Sequence, residues 1–292
     1  MVLQYFTEEN ANDAVLARLA NCSNPRLREV MESVTRHLLE VVREVKPTPA
    51  EWFQAIQFLT ETGQMCDDNR QEWILLSDIL GVSMLVDAQN HRKPDGATES
   101  TVLGPFHVDG APVLELGATI SRDGKGDICV VEGRVSDIDG TPIPGATLDV
   151  WQASDDGYYD VQQPGVQPEM NLRGRFATDA DGRYWFRTVM PRSYPIPDDG
   201  PVGGLLRGMG RHPYRPAHIH FIVEAFGFDP VTTHIFVAGD EYLQSDAVFG
   251  VKKSLVRNFG TISDPAKADD FGVAAPFRHV EQPFVLAAAP DA

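Results

Sequence analysis

Two histidines, His218 and His220, lie two residues apart in the run RPAHIHFIVEA. The apolar residues around them, Ile219, Phe221 and Ile222, predict a buried β-strand. Because side chains alternate between the two faces of a strand, both imidazoles point the same way, roughly 6–7 Å apart along the chain. Such a pair is a chelate, and imidazole binds iron, copper, nickel and zinc. The pair therefore predicts a metal site without specifying the metal.

Further ligands are needed, and Glu224 is one candidate because it has the same parity as the two histidines. Two histidines and a carboxylate would bind ferrous iron or manganese, as in a cupin. The cupin pattern also requires glycine at two positions where this chain has His212 and Val231. We therefore favour the interpretation of Glu224 as a charged residue near the end of the strand. His212 reaches the site only if the preceding loop folds back.

Tyrosines are the other candidates. Tyr158 and Tyr159 follow the turn at Asp156-Gly157, and Tyr194 lies in a proline-rich loop that leads to the histidine strand. Each one taken singly is more typical of a packing aromatic residue. A tyrosine has an ordinary pKa of about 10, so it ligates at neutral pH only to a strongly Lewis-acidic ion. Two phenolates and two neutral imidazoles would leave ferric iron with a net charge of about +1 and favour that oxidation state.

The elements that position these residues differ between the two parts of the chain. Asn24-Pro25 and the capping box Thr48-Pro49-Ala50-Glu51 each begin a predicted helix, and a third helix is predicted from about Asp68 to Gln89. After residue 100, short β-rich runs alternate with Asp-Gly turns. The fold class is therefore α+β, with a helical domain at 1–100 and a mostly antiparallel β-sandwich at 101–292 that carries the metal site. The long loop between Pro191 and Pro216 is typical of a functional segment.

Charge and composition exclude several classes of protein. The formal net charge is −17 and the isoelectric point about 4.8, so we expect no nucleic-acid partner. No apolar run approaches the roughly 18 residues of a membrane span. The N-terminus lacks the features of a signal peptide, and three widely spaced cysteines do not form a disulfide framework. We expect a cytoplasmic protein.

Several segments carry a family resemblance: LGPFHVDGAP, GRVSDIDGTPIPGATLDVWQASDDGYYD, LRGRFATDADGRYWFRTVMPRSYPIPDDGP, GRHPYRPAHIHF and TTHIFVAGDEYL. Over nearly its whole length the chain resembles the intradiol ring-cleaving dioxygenases, which split an aromatic diol or triol with O2. The resemblance implies one ferric iron, Fe(3+), per subunit, with Tyr159, Tyr194, His218 and His220 as its ligands. Without it, the segment GRVSDIDGTPIPGA would also suit a metal-free sandwich that acts as a binding module.

The resemblance also implies roles at the active site. Arg215 would stabilise negative charge that develops on the substrate, and Tyr194 would take up a substrate proton. The LGPFH segment and His234 resemble members that cleave hydroxyquinol (1,2,4-trihydroxybenzene) to 3-hydroxy-cis,cis-muconate. Members acting on catechol usually carry glutamine in place of His234, and catechol or a chlorocatechol is the alternative substrate.

Asp78 and Leu75 share one face of the third helix, which lines the substrate pocket in the relatives. A carboxylate there could accept a hydrogen bond from the third ring hydroxyl, and a site built in this way rejects the analogue that lacks it. An ordinary solvated helix residue is the competing interpretation of Asp78. The rest of the predicted pocket wall consists of Val102, Leu103, Gly104, Pro105, Phe106, Ile196, Pro197, Arg215 and His234.

The helical region resembles the dimerisation region of the family, which can also hold lipid between subunits. The resemblance therefore implies a homodimer joined through residues 1–100, with a phospholipid as a further partner at the interface.

Overall fold

Helices form the first of two units into which the chain divides, Met1–Glu61, and strands dominate the second, Thr62–Ala292. A computed structural model of the protein describes residues 5–67 and 70–289. In the first unit, α1 (Ala11–Leu16) and a 3-10 turn (Ala17–Asn21) precede α2 (Pro25–Val45), and α3 (Pro49–Gln64) crosses the boundary. The predicted division at residue 100, where helices give way to strands, stays a prediction.

Both predicted helix starts are confirmed. The side-chain oxygen of Asn24 accepts a hydrogen bond from the Leu27 amide at 3.0 Å, with Pro25 at the first helical position. At α3, the Thr48 amide donates to the Glu51 carboxylate at 2.7 Å and the Glu51 amide donates to the Thr48 hydroxyl at 3.3 Å. These contacts satisfy amide groups that the first turn of a helix leaves without partners.

The prediction of a single third helix is wrong. The segment forms two helices, α4 (Glu72–Ile79) and α5 (Val82–Asn90), and Gly81 between them has a φ of 74°. That left-handed conformation ends a helix, and glycine adopts it at little cost. The apolar periodicity continues across the break, so the sequence pattern did not reveal it. The predicted start at Asp68 lies outside the described residues. No helix in the described part of the chain is long and apolar enough to cross a membrane.

Two five-stranded sheets form the core of the second unit. The strands of the unit are β1 (Ile128–Asp137), β2 (Thr147–Trp151), β3 (Arg173–Ala177), β4 (Arg183–Val189), β5 (Tyr194–Pro195), β6 (Tyr214–Arg215), β7 (His218–Glu224), β8 (Val231–Val237), β9 (Val256–Arg257), β10 (Gly260–Ile262), β11 (Phe277–Glu281) and β12 (Phe284–Leu286). The first sheet has the order β10-β11-β1-β12, with β4 also paired to β1, and the second has the order β3-β2-β7-β8-β9. Most pairings are antiparallel, while β1–β11, β1–β12 and β8–β9 are parallel.

A single apolar core joins these two sheets. It combines Val131 and Phe186 of the first sheet with Leu148, Phe221 and Ile235 of the second, all of them buried. Apolar side chains from two facing sheets make a sandwich, so the predicted α+β class with a mostly antiparallel sandwich is confirmed.

The long loop before the histidine strand is more ordered than its composition suggested. It contains α6 (Pro201–Gly208), and β5 pairs with β6 so that Tyr194 lies opposite Arg215. With eight residues and two central glycines, α6 is too short for its apolar periodicity to be recognised from the sequence.

After the last strand of the second sheet, α7 (Pro265–Asp270) begins at an Asp264 cap.

Candidate metal centre

One row of side chains crosses four strands of the second sheet. Trp151 on β2 lies opposite Arg173 on β3 and His220 on β7, and His220 lies opposite His234 on β8. Residues in register across neighbouring strands project from the same face of a sheet. All four side chains are buried. The sheet therefore presents polar and aromatic groups on one face while the next residue on β7, Phe221, packs in the core.

The structure brings the four predicted metal ligands together through their heteroatoms. The Tyr159 hydroxyl lies 2.9 Å from His220 Nε2 and 3.1 Å from the Tyr194 hydroxyl. His218 Nε2 lies 3.2 Å from His220 Nε2 and 3.5 Å from the Tyr194 hydroxyl. Ligands that bind one transition-metal ion at about 2.0–2.1 Å lie about 3 Å from each other, so these spacings suit one shared ion.

A glycine-containing turn positions Tyr159, and the pairing of two short strands positions Tyr194. Tyr159 follows a turn in which Gly157 has a φ of 80°, and its amide donates to Gln162 Oε1 at 2.9 Å. A side chain at Gly157 would meet Tyr194 Cβ at 3.2 Å, so the turn and Tyr194 pack closely. Tyr194 comes from β5, which is fixed against β6. Tyr158, by contrast, is exposed.

The chemistry of the four groups fits a cation. Burial lowers the pKa of His218 and His220 well below the ordinary value, so both imidazoles are neutral. His218 Nδ1 lies 2.6 Å from the Pro216 carbonyl and therefore carries the proton, which leaves a lone pair on Nε2 facing the other donors. Burial and the neighbouring Tyr194 raise the pKa of Tyr159 well above 10. The charges of Arg215 and Arg173 oppose this rise in pKa without reversing it, so a further positive charge, such as a bound cation, is needed for that phenol to ionise at neutral pH.

Aromatic rings enclose the centre. The Trp151 indole stacks on His220 with ring centroids 4.6 Å apart and an interplanar angle of 13°. Phe106 stacks on Tyr159 with centroids also 4.6 Å apart. Gly104 has a φ of 78°, and a side chain there would meet His220 Cε1 at 3.1 Å. The predicted residues Gly104 and Phe106 are thus placed directly against metal-ligand candidates. Sequence reasoning did not single out Trp151 as a site residue.

His234 is a third imidazole in the same cluster. One nitrogen from each of His218, His220 and His234 can be chosen so that all lie within 4.8 Å of one another. The rings of His234 and His220 meet edge to face with centroids 4.0 Å apart. Burial lowers the pKa of His234, and the Val102 backbone opposes this shift, which places that predicted wall residue beside the ring.

Arg215 lies beside the cluster and is almost fully buried. Its Nη1 lies 3.3 Å from His218 Nε2, and its Nε donates to the Asp246 carboxylate at 3.2 Å. Sequence reasoning missed Asp246, which is 31 residues from Arg215 and has no motif around it.

Asp78 and Leu75 are both buried on α4, so the interpretation of Asp78 as a solvated residue is wrong. Burial raises the pKa of Asp78, a hydrogen bond from Ser83 and the Arg215 charge lower it, and the Asp246 charge raises it. Asp78 therefore shares its electrostatic surroundings with Arg215.

The other predicted wall residues vary in exposure. Ile196 is buried, Val102 and Pro197 are half-buried, and Leu103 and Pro105 are exposed. Their contact with a substrate stays a prediction.

Two candidates from the sequence lie outside the centre. His212 is bound to the Ser245 hydroxyl at 2.8 Å, and Glu224 is exposed at the end of β7. A cupin-type triad with Glu224 is therefore wrong.

Two imidazoles on a buried sheet face with two phenols beside them are a donor set that could hold a metal ion, and comparison with known proteins identifies the class of enzyme. Residues 102–282 match the family model described as "Dioxygenase", and residues 24–98 match "Catechol dioxygenase N terminus". The chain is 60% identical to hydroxyquinol 1,2-dioxygenase of Rhizobium sp. (strain MTP-10005), over 97% of this chain and 96% of that protein.

Solved structures agree. Hydroxyquinol 1,2-dioxygenase from Pseudomonas putida DLL-E4 matches with a TM-score of 0.91 and 46% identity, covering 97% of this chain and 99% of that one. Catechol 1,2-dioxygenase from Acinetobacter sp. ADP1 is more distant, with a TM-score of 0.85 and 30% identity over 99% and 96% of the two chains. The chain belongs to the intradiol ring-cleavage dioxygenase family.

Proposed function

We propose that this protein cleaves the ring of hydroxyquinol with O2, between its adjacent hydroxyl-bearing carbons, to give 3-hydroxy-cis,cis-muconate, a tautomer of maleylacetate. The observation that carries the proposal is the convergence of Tyr159, Tyr194, His218 and His220, which four contacts of 2.9–3.5 Å between their heteroatoms join into one cluster. The high identity to a relative named for this reaction supports it.

We assign one ferric iron, Fe(3+), per subunit to these four residues. Hard anionic phenolate oxygens favour a ferric over a ferrous ion, and the two imidazoles add neutral donors. When bound, the iron would draw electron density from the aromatic diolate and so open its ring carbons to O2.

The protein's own groups prepare the substrate for this chemistry. The Tyr194 hydroxyl, 3.1 Å from Tyr159, is a base for a substrate hydroxyl proton once both phenols are ionised. Arg215 supplies a fixed positive charge where negative charge develops on the ring oxygens. Because the side chains are buried, water does not screen this charge, and the interaction is stronger than at a surface.

Asp78 is the group that we propose recognises the third hydroxyl. Its carboxylate is buried on α4 near Arg215, where a substrate hydroxyl could donate to it. Ser83 already hydrogen-bonds to this carboxylate. Catechol lacks the third hydroxyl and would leave the remaining acceptor sites of the buried carboxylate unused, a loss that discriminates between substrates. His234 and the wall residues Leu75, Val102, Leu103, Gly104, Pro105, Phe106, Ile196 and Pro197 complete the proposed pocket.

Oxygen uptake by the iron-loaded protein tests the proposal with a substrate panel of hydroxyquinol, catechol and chlorocatechols. We expect one O2 consumed per hydroxyquinol, with kcat/KM at least about a hundredfold above that for catechol. A preference for catechol or a chlorocatechol would make this chain a different member of the family. No uptake with any substrate would overturn the proposal.

We also propose that the protein is a homodimer joined through its helical part, with a phospholipid at the interface. On α2, Leu38, Val41 and Val45 are 61%, 54% and 67% exposed, and the helix has no buried residue within this chain. Large contiguous apolar surfaces of this kind mark interaction sites.

Light scattering tests the dimer. It should give twice the chain mass of 32.2 kDa for the wild-type protein, and Leu38→Glu should give monomers. Native mass spectrometry would reveal the lipid, and a wild-type monomer would contradict the dimer.

A cytoplasmic location completes the proposal. Cys22, Cys66 and Cys129 are all free thiols, which supports a reducing compartment. Localisation of a tagged protein by fractionation would test it.

A further inference from the structure

Arg215 uses its three guanidinium nitrogens unequally. Nε donates to Asp246 Oδ1 at 3.2 Å, and Nη1 points at His218 Nε2, 3.3 Å away. Nη2 is buried and has no hydrogen-bond partner among the described residues. A guanidinium is planar, so fixing Nε determines where Nη1 and Nη2 point. Nη1 points to the candidate metal centre at His218, and Nη2 lies beside Gly250, where a Cβ atom would be 2.9 Å away.

Asp246 is itself rigidly held. Its Oδ1 accepts from the Val248 amide at 3.3 Å and its Oδ2 accepts from the Gly250 amide at 2.9 Å. A hydrogen bond of 3.1 Å from the Ala247 amide to the Tyr214 carbonyl anchors the loop that contains Asp246. Both carboxylate oxygens are therefore engaged, and within the described part of the chain Arg215 is the one cation bonded to this buried carboxylate.

Gly250 leaves the space that this arrangement needs. A Cβ atom at that position would lie 2.9 Å from Arg215 Nη2, 3.2 Å from Asp246 Oδ2 and 3.3 Å from Thr101 Oγ1. The backbone of Gly250 is not left-handed, so an alanine would be acceptable to the backbone itself. The close approach of Arg215 and Asp246 is the reason for glycine here.

We propose that Asp246, with Gly250 beside it, is the positioning residue that holds Arg215 with its Nη1 directed at the candidate metal centre, where the substrate would bind. The inference rests on the proposed function, because Arg215 acts there on a charge that develops on the ring. Asp246 compensates the buried guanidinium charge from the far side. A group fixed in advance in this way stabilises a transition state without the cost of reorganising during the reaction.

The first test is a double-mutant cycle on the iron-loaded enzyme with hydroxyquinol as substrate. Asp246→Asn keeps the size of the side chain and removes its charge. We expect kcat/KM to fall about a hundredfold, the scale for misplacing a catalytic group by an ångström. In an Arg215→Gln background the same substitution should change kcat/KM less than threefold, because Asp246 acts through Arg215. Equal losses in the two backgrounds would overturn the inference.

Gly250→Ala tests the same idea without altering a charge, and Gly204→Ala is its matched control, since a Cβ at Gly204 meets nothing within 4 Å. We expect Gly250→Ala to lower kcat about tenfold with unchanged iron content and visible spectrum, and Gly204→Ala to behave as wild type. This variant decides the matter if Asp246→Asn does not fold. Wild-type kcat in Gly250→Ala would overturn the inference, whereas an inactive wild-type enzyme would overturn the proposed function itself.

Discussion

The two faces of the central strands of the second sheet have different roles: one packs in the apolar core, and the other carries the polar groups of the candidate site. On β7, Ile219 and Phe221 point into the apolar core, while His218 and His220 point to the other face and meet the two tyrosines. Strand periodicity alone makes this separation, because alternate residues belong to different environments. The packing of Ile219 and Phe221 in the core thus fixes the positions of His218 and His220 on the other face of the strand.

The two faces also differ in how well their groups are satisfied. Unpartnered buried atoms among the described residues include Trp151 Nε1, His220 Nδ1 and Arg215 Nη2 at the candidate metal centre, and others such as Asn12 Oδ1 and Gln282 Oε1 away from it. Buried polar atoms without partners are unfavourable unless a ligand or metal completes their contacts. The face that bears the site therefore lowers stability, and the core face offsets this.

The largest expected effect comes from a substitution on the face of β7 that carries the proposed metal ligands His218 and His220. His220→Ala removes a proposed ligand and should lower iron content and reduce ring cleavage by a factor on the order of a thousand. Iron analysis of the purified variant and oxygen uptake with hydroxyquinol would check this. Full iron occupancy and turnover in this variant would mean that His220 is not a ligand.

The matched substitution on the core face is Phe221→Ala, one residue further along β7. Phe221 is fully buried, so we expect unfolding free energy to fall by about 3–5 kcal/mol, while His220→Ala should cost clearly less. Urea denaturation of the metal-free proteins measures both. A greater loss from His220→Ala than from Phe221→Ala would contradict the division of roles between the faces.

Asp78→Ala sharpens the comparison at the edge of the site. Without the carboxylate, the ratio of kcat/KM for hydroxyquinol to that for catechol should fall about tenfold or more, because one hydrogen bond to a charged group is lost. Leu76→Ala is a suitable control, since it shortens a buried side chain of the same helix that is not among the proposed pocket residues, without changing charge. An unchanged ratio in Asp78→Ala would remove Asp78 from substrate recognition.

The smallest expected effect is a pH dependence of the metal-free protein. Burial holds the pKa of His218, His220 and His234 well below 6.5 in the folded state. The unfolded chain therefore binds more protons than the folded chain below about pH 6.5. As the pH decreases, the free energy of unfolding should decrease by up to about 1.4 kcal/mol per pH unit for each histidine. Urea titrations between pH 7 and 5.5 should show this fall, and His220→Ala should lessen it. A stability that rises over that interval would contradict buried neutral imidazoles.

The amino-acid sequence predicted what depends on near neighbours. His218 and His220 follow from strand parity, and the caps at Asn24 and Thr48 follow from local chemistry. Tyr159 and Tyr194 needed the family resemblance, because they lie 61 residues from His220 and 24 from His218 respectively.

Other features were hidden for physical reasons. The break at Gly81 interrupts a helix without interrupting its apolar period, and α6 is too short for a period to emerge. Asp246 is determined by tertiary packing, for which no local pattern exists.

The visible absorption spectrum of the iron-loaded protein tests the central claim most directly, because charge transfer from tyrosinate to ferric iron gives a deep red colour. We predict such a band in the wild-type protein, and a shifted or bleached band in Tyr159→Phe and in Tyr194→Phe. A protein that carries iron yet is colourless, or a band unchanged by both substitutions, would contradict a ferric centre built from these two tyrosines and the histidine pair.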